Sequence, residues 1–536
     1  MVNNKPGTVL LSFLFGLFLS CQQYAAFSQK TRVYDLVKDF KAVADDRTDN
    51  YMAFVRAAER ISKEGGGVLN IPKGRYYIGV YKIVGGSKKN QVGDIIFKSC
   101  RNLTIIGNNS TIRVNGNFTR TNDEQIKGLP YKYAFNNTVC PFKLVNCKNV
   151  LLKDITLNGG VDKMRKEEGV AEGESYGVFV ADDEPTDISS KIVIQNVTAH
   201  HFAADGFLIR SNGEDIQINN SRSYCNARQG LSIVKGTNIR CYNSSFDSTG
   251  ITGAYGWHAP GAGIDVENEF GPGKLNNVTI RKCSMRGNRG FQIVTTIPSV
   301  KVIIDSCFIS DLTSGYSNAL NGIGMYSVNS TLSNSIVFAS IQVDLSDQIY
   351  KGPAVQEINK NIFYSGDRLV VSSNFSRPVN ITDNIFIMLP WSNIESYAPY
   401  IQNPNCRFNR NIVVVHADRI RRNPNKVIAL VQYTKEAIDN FWLVDGYDIA
   451  EKQGATFFYT SMNGSKDLKN NFISSGARVT METGAPKTNS ISSGQEKEIL
   501  AKRLFRAYKQ TSFNKQYLEE ASLILKYTGS IVASVK

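Results

Sequence analysis

The strongest pair of chemistry-bearing residues in this chain is Asp265 and Glu267, in the segment Pro260-Gly-Ala-Gly-Ile-Asp-Val-Glu-Asn. If Ile264 and Val266 point inward on a strand, alternation turns Asp265 and Glu267 outward together, with backbones roughly 6.6–6.8 Å apart. Close like charges raise one pKa over the other and set a proton donor beside a proton acceptor. Glycosidic cleavage uses that division of labour. Carboxyls roughly 5–5.5 Å apart suit a retaining nucleophile and about 6.5–9.5 Å an inverting water mechanism, so this spacing leans to inversion. The alternative is a pair of solvated acids that keeps a strand edge from aggregating.

Polar residues at related positions extend the candidate site. Gln292 is expected at the Asp265 position one repeat later and Ser232 one repeat earlier, with Arg210 two repeats earlier at the Glu267 position. Asp205, Arg228 and Gln229 fall just before their glycine-led strands, and Glu269 and Arg289 complete the substrate-binding candidates. An arginine near an acidic pair can hold a uronate or sulfate group, or neutralise the cluster. In a lyase or uronate epimerase, Arg228 or another basic group would abstract the proton, with calcium neutralising the substrate carboxylate; a hydrolase needs no cofactor. The insertion from Thr249 to Pro260 carries Tyr255 and Trp257, an aromatic platform for a sugar ring or packing for the loop, and His258, a candidate proton carrier. His200-His201 reads as structural.

A repeat positions these residues. Gly177-Val-Phe-Val, Gly206-Phe-Leu-Ile, Gly230-Leu-Ser-Ile, Gly263-Ile-Asp-Val, Gly290-Phe-Gln-Ile and Gly322-Ile-Gly-Met share the form Gly-apolar-x-apolar, at separations of 29, 24, 33, 27 and 32. A second ladder runs in step: Asn102-Leu, Asn149-Val, Asp215-Ile, Asn238-Ile, Asn277-Val and Lys301-Val, with later rungs at Asn361, Asn384, Asn411 and Asn471. Short period-2 apolar segments between Asn, Gly, Ser and Asp turns are strands, and a repeat of this length signals stacked coils. Each coil buries its inward side chains only against its neighbours, so the product is an all-β solenoid, a single-stranded parallel β-helix. Cys283 and Cys307, 24 residues apart at matching points, read as stacked interior thiols and not as a bridge.

The ends differ. Residues 1–28 hold one Lys, an apolar run from Val9 to Leu19 and small residues at a cleavage point, which is a secretory signal too short to span a membrane. Cleavage could follow Ser28, or Cys21 could carry a lipid, so the chain is expected to be exported: periplasmic, extracellular or anchored at the cell surface. Losing Lys5 takes the net charge from +15 to 15 − 1 = +14, which suits an acidic polymer or a negative surface as well as plain solubility. No helical basic stripe points to nucleic acid, and no C-x-x-C pair points to zinc. Thr48-Asp49 begins a helix with Phe54, Ala57, Ala58 and Ile61 on one face, stopped by Gly65-Gly-Gly, that caps the first coil within 29–90. The β-helix is expected over 91–475. A helical extension follows over 476–536, with its helices at 494–527, to cap the far end or mediate homo-oligomerisation.

The opening Val33-Tyr-Asp-Leu-Val-Lys-Asp-Phe-Lys-Ala, Asp46-Arg-Thr-Asp-Asn, the helix, and Gly65-Gly-Gly-Val-Leu-Asn-Ile-Pro-Lys-Gly-Arg-Tyr-Tyr-Ile resemble the start of the pectin-lyase-like superfamily, of pectate-lyase and polygalacturonase type. Lys41 and Asp46 stand where glycines are common in that opening. The resemblance implies a right-handed parallel β-helix, usually exported and acting on polysaccharides, but does not name the reaction. The Asn-Thr-Asp, Gly-His-Gly and Arg-Ile-Lys segments of polygalacturonases are absent. Arg421-Arg-Asn-Pro-Asn-Lys426 is the nearest approach to the Arg-x-Pro-x-x-Arg of classical pectate lyases. Three readings remain open: glycoside cleavage by paired carboxylates, a lyase or epimerase with a basic residue, and a non-catalytic glycan-binding protein.

Overall fold

The computed structural model describes residues 31–79, 93–114, 140–163, 175–183, 187–270, 274–296, 300–311 and 322–343, with shorter stretches from 355 to 495. The expected signal segment, the stretch Arg421–Lys426 and all but Gln495 of the expected helices at 494–527 lie outside the described residues.

Each strand pairs in parallel with a strand one coil away, and a coil in the middle of the chain has three strands. Ile216–Asn219 lies on the first wall, Arg222–Tyr224 on the second, and the start of Gln229–Tyr242 on the third. The structure is therefore an all-β parallel solenoid, the fold the opening residues imply. On the first wall, Ile105, Leu152, Ile194, Ile218, Cys241, Ile280 and Ile304 stack inward in register, all buried in one continuous core. Full burial of such an aliphatic side chain stabilises by roughly 1.5–3 kcal/mol, repeated at every coil.

Corners explain the polar ladder. Asn102, Asn149, Asp215, Asn238, Asn277 and Lys301 all adopt left-handed backbone, with φ between 55° and 60°, and Lys191 at 53° fills a rung that the residue pattern skips. Asn tolerates this conformation best because its short side chain bonds locally. Here Asn149 also donates to Asn102, and Asn277 to Asn238. The later asparagines belong to a different corner and point inward. Asn361, Asn384, Asn411, Asn440 and Asn471 are buried. In each of the first four, the side-chain amide donates to the next asparagine's carbonyl and to a backbone carbonyl, while the next asparagine's Oδ1 takes its backbone N–H. Toward the N-terminus the ladder continues through Ser335, whose hydroxyl accepts from the Cys307 N–H at 3.0 Å. All eight cysteines after Cys21 are free thiols, and Cys283 and Cys307 are buried, as their spacing implies.

The helix spans Tyr51–Lys63 and buries Phe54, Ala57, Ala58 and Ile61 in the common core. Its N-cap is Asn50, one residue later than expected, while Asp49 Oδ1 still accepts from the Tyr51 N–H at 3.1 Å. Lys41 and Asp46 both have positive φ, 62° and 59°, which is the reason glycine suits those positions. Asp46 uses the place to pair with Arg75 and Arg113, each at 3.0 Å. At the other end Arg478–Met481 and Thr488–Ile491 add further parallel strands, so the solenoid runs past the expected boundary at 475.

The interior ladder yields a stability prediction. Asn411→Ala leaves the Asn384 N–H and the Ile381 carbonyl buried without partners, at a cost of roughly 2–4 kcal/mol. Asn149→Gly, at an exposed corner that glycine accepts, is expected to change stability by no more than about 0.5 kcal/mol. Urea unfolding midpoints of the two variants would test the contrast; equal shifts would refute it.

Candidate active site

The third wall carries the candidate residues. Leu208, Ser232, Asp265, Val294 and Gly324 lie in register on successive coils, with side chains outward because their neighbours Ile209, Ile233, Ile264, Ile293 and Ile323 fill the core. Ser232 therefore stands beside Asp265, as the repeat predicts. Gln292 does not. Val294 takes the place expected for Gln292, which instead lies opposite Gly263 and turns into the corner, where its side chain bonds Asn288. The sequence pattern aligns the wrong glycine: a β-carbon at Gly290 would stand 1.6 Å from the Pro260 carbonyl oxygen, so Gly290 answers a close approach by the insertion and not the strand repeat.

Asp265 is 2% exposed, which removes the solvated-acid reading for it but not for the half-exposed Glu267, and Asp205 is 0% exposed. Arg228 grips Asp205 with two bonds, Nε to Oδ1 at 2.9 Å and Nη2 to Oδ2 at 2.6 Å. A two-pronged pair of this kind suits Arg228 to balance charge, not to abstract a proton as the lyase reading expects. Ser232 Oγ bonds Asp205 Oδ2 at 2.9 Å and also Gln229, and the Gln229 amide donates to Asp265 Oδ2. The chain Arg228–Asp205–Ser232–Gln229–Asp265 thus links three successive coils. Its free end is Asp265 Oδ1, buried with no hydrogen-bond partner among the described residues.

Burial, then the charge of Glu267, pushes the Asp265 carboxyl well above the usual range, opposed by Arg228. Glu267 lies just past the strand Ile264–Val266, half-exposed, its N–H bonded to the Ile233 carbonyl at 3.0 Å. Glu269 is exposed at the rim, yet desolvation and then Glu267 raise its pKa too. Arg210 is exposed, lies 5.6 Å over the Phe179 ring and forms no ion pair among the described residues. The wall thus holds a buried acid whose pKa is raised, the half-exposed Glu267 and an exposed arginine without an ion pair among the described residues.

The insertion behaves differently from a sugar platform. Tyr255 is 1% exposed and packs with Val161, Ala203 and Ala227, so it is core. Trp257 is half-buried over the Arg289 guanidinium at 4.7 Å, which fastens the loop to the next coil. His258 is buried edge-on to Tyr255, and its N–H bonds the Ala227 carbonyl at 2.9 Å, one residue before Arg228. His200 and His201 lie together on the second wall, stacked on or edge-on to Tyr224. The residue pattern also passes over Tyr326, on the third wall beyond Asp265; its signal is Gly324, a glycine in mid-strand two residues before an aromatic.

Both Asp205 oxygens are taken by Arg228 and Ser232, and no group of three or more His, Cys, Asp or Glu side chains placed to hold a metal ion occurs among the described residues.

No family model matches the chain. A stretch of 223 residues is 27% identical to alginate lyase 7 of Azotobacter vinelandii, covering 37% of this chain and 23% of that protein, so the chain spans under a quarter of that relative. Among solved structures it is similar to a tailspike protein of E. coli bacteriophage HK620, at 13% identity and a TM-score of 0.45 over 87% of this chain and 79% of that one. It is also similar to the A-module of the Azotobacter vinelandii mannuronan C-5 epimerase AlgE6, at 13% identity and TM-score 0.39 over 86% and 99%. Pectate lyase Pel9A gives 12% and 0.36 over 72% and 81%. No helix among the described residues is long and apolar enough to cross a membrane.

Asp265 gives a stability prediction with a definite sign. Its folded pKa lies above the unfolded value, so the native state favours the protonated form, and its contribution, full below the unfolded pKa, is lost as pH rises toward the folded value. Asp265→Asn removes that penalty. The variant should match the parent near pH 3 and exceed it near pH 7 by about 1.4 kcal/mol for each unit of the shift. Urea unfolding across that range, with the parent no less stable than the variant at neutral pH, would count against a buried neutral acid.

Proposed function

We propose that the chain is an exported enzyme that cleaves an acidic polysaccharide on the third wall, with Asp265 as the neutral acid and Glu267 as the base. The observation that carries this reading is Asp265, an acid kept neutral by burial, with one oxygen unpartnered among the described residues and a carboxylate close enough to raise its pKa. Strongly perturbed acids of this kind concentrate at functional sites.

The likeness to alginate lyase 7 supports β-elimination on a uronate. Glu267 would take the proton from the carbon beside the uronate carboxyl. The freed electron pair moves into that carboxyl, where Arg210 stabilises the added charge, then returns to form a carbon–carbon double bond as the glycosidic oxygen departs and takes the Asp265 proton. The products are an unsaturated uronide and a new hydroxyl end. Hydrolysis is the second reading, favoured by the carboxyl pair itself: Asp265 would protonate the leaving oxygen while Glu267 activates water.

The test is incubation with alginate, polygalacturonate and neutral glycans, following ultraviolet absorbance and product masses. Elimination gives an absorbing product; hydrolysis gives one heavier by a water; binding without turnover would mark a glycan-binding protein. Asp265→Asn and Glu267→Gln should each lower kcat by roughly 10²–10⁴-fold with the fold intact by circular dichroism. In the parent, kcat should fall as pH rises through the raised Asp265 value, because the required form is the protonated one. Parental rates in both variants would remove the assignment.

A further inference from the structure

Tyr326 follows the strand Ile323–Met325 on the third wall and is half-buried. Its ring lies against Gly324: a β-carbon there would stand 2.9 Å from Cε2 and 3.2 Å from Cζ. Two further contacts fix it. The hydroxyl donates to Gln342 Oε1 at 2.8 Å on the following coil, and Phe291 meets the ring edge-on with centroids 6.4 Å apart. Tyr326 lies outside the core, which Ile323 and Met325 fill.

Gly324 lies two coils beyond Asp265, through Val294. Coils repeat every ~4.8 Å, so the ring is displaced by roughly 9–10 Å along the solenoid axis. An extended polysaccharide advances by roughly one coil per sugar. The intervening wall residues, Val294 and Gly324, are small, without charge and buried. On the other side of Asp265, Leu208 lies two coils back through Ser232, with Arg210 two residues along its strand.

We infer that Tyr326 is a stacking subsite for a sugar ring about two residues from the reacting bond, on the side toward the C-terminus. The polymer then lies along the axis from Arg210, past Asp265, to Tyr326. This rests on the proposed function for the place of the reaction, but the stacking site itself needs only that the wall binds a glycan. It implies that short oligosaccharides, which cannot reach from Asp265 to Tyr326, are poor ligands.

The experiment uses the full chain and two readouts. In the first, the Asp265→Asn protein is titrated with alginate and polygalacturonate oligosaccharides of two to eight residues by calorimetry, with and without Tyr326→Ala or Tyr326→Phe. Tyr326→Ala should weaken binding of the long oligosaccharides about tenfold and leave the shortest unchanged, and Tyr326→Phe, which keeps the ring, should retain most of the affinity. In the second, the Asp265-containing protein with Tyr326→Ala should show a raised KM for long substrates and a kcat within about twofold of the parent. Circular dichroism and melting verify the fold, and Gln342→Ala, which frees the ring without removing it, should give an intermediate loss. If Tyr326→Ala binds long and short oligosaccharides as its parent does, the subsite is overturned while the proposed reaction stands. If the parent binds and Tyr326→Ala weakens it but nothing is cleaved, the reaction falls and the subsite stands. No binding of either polymer overturns both.

Discussion

A parallel solenoid closes no hydrogen-bonded ring within a coil. Among the described residues, strands in the middle of the solenoid take their backbone partners from the coil before and the coil after, and the inward side chains meet like neighbours at the same level. The controlling constraint is therefore register: a slip of one residue would turn a whole wall inside out. Two devices fix it. Left-handed residues at one corner set where each first-wall strand begins, and the inward Ser and Asn ladder at the next corner ties each backbone N–H to the side chain one coil on. The second device is the stronger, because a buried amide left without a partner costs the full desolvation penalty.

The active-site candidates are a consequence of that register. Asp265 faces out because Ile264 and Val266 face in, and Ser232 reaches Asp205 and Gln229 because adjacent coils are in contact. Asp205 and Arg228 are a buried ion pair in which neither partner is dispensable: removal of Arg228 would leave an uncompensated carboxylate at a cost of about 3–5 kcal/mol. Within the pair, Arg228 opposes the upward shift of the Asp265 pKa and Asp205 adds to it. The arginine thus acts through the acid next to it.

Much of this was legible in the sequence, and what was not has specific causes. The solenoid, the helix near residue 50, the outward Asp265 and the neighbouring Ser232 all follow from periods and turn residues, which are local signals. Gln292 was misplaced because a glycine can serve a strand repeat or a close approach, and the two look alike in sequence; at Gly290 the approach of Pro260 decides. Tyr255 reads as a sugar platform only until its partners Val161, Ala203 and Ala227, far apart in sequence, are brought together. Burial of Asp265 depends on what lies over the wall, which no local pattern encodes.

The column through Asp265 shows what the fold itself requires. Its in-register neighbours are Leu208, Ser232, Val294 and Gly324, two aliphatics, a hydroxyl and a glycine, and the strands pair equally well through all of them. Nothing in the hydrogen-bond ladder or the core demands an acid at that level, and burying one there makes the protein less stable at neutral pH than a neutral side chain would. Gln229, itself bonded by Ser232, satisfies one oxygen and leaves the other buried without a partner among the described residues. A residue that lowers stability, is held in place by a network spanning three coils and keeps one oxygen uncommitted fits a role in acid chemistry better than one in the architecture.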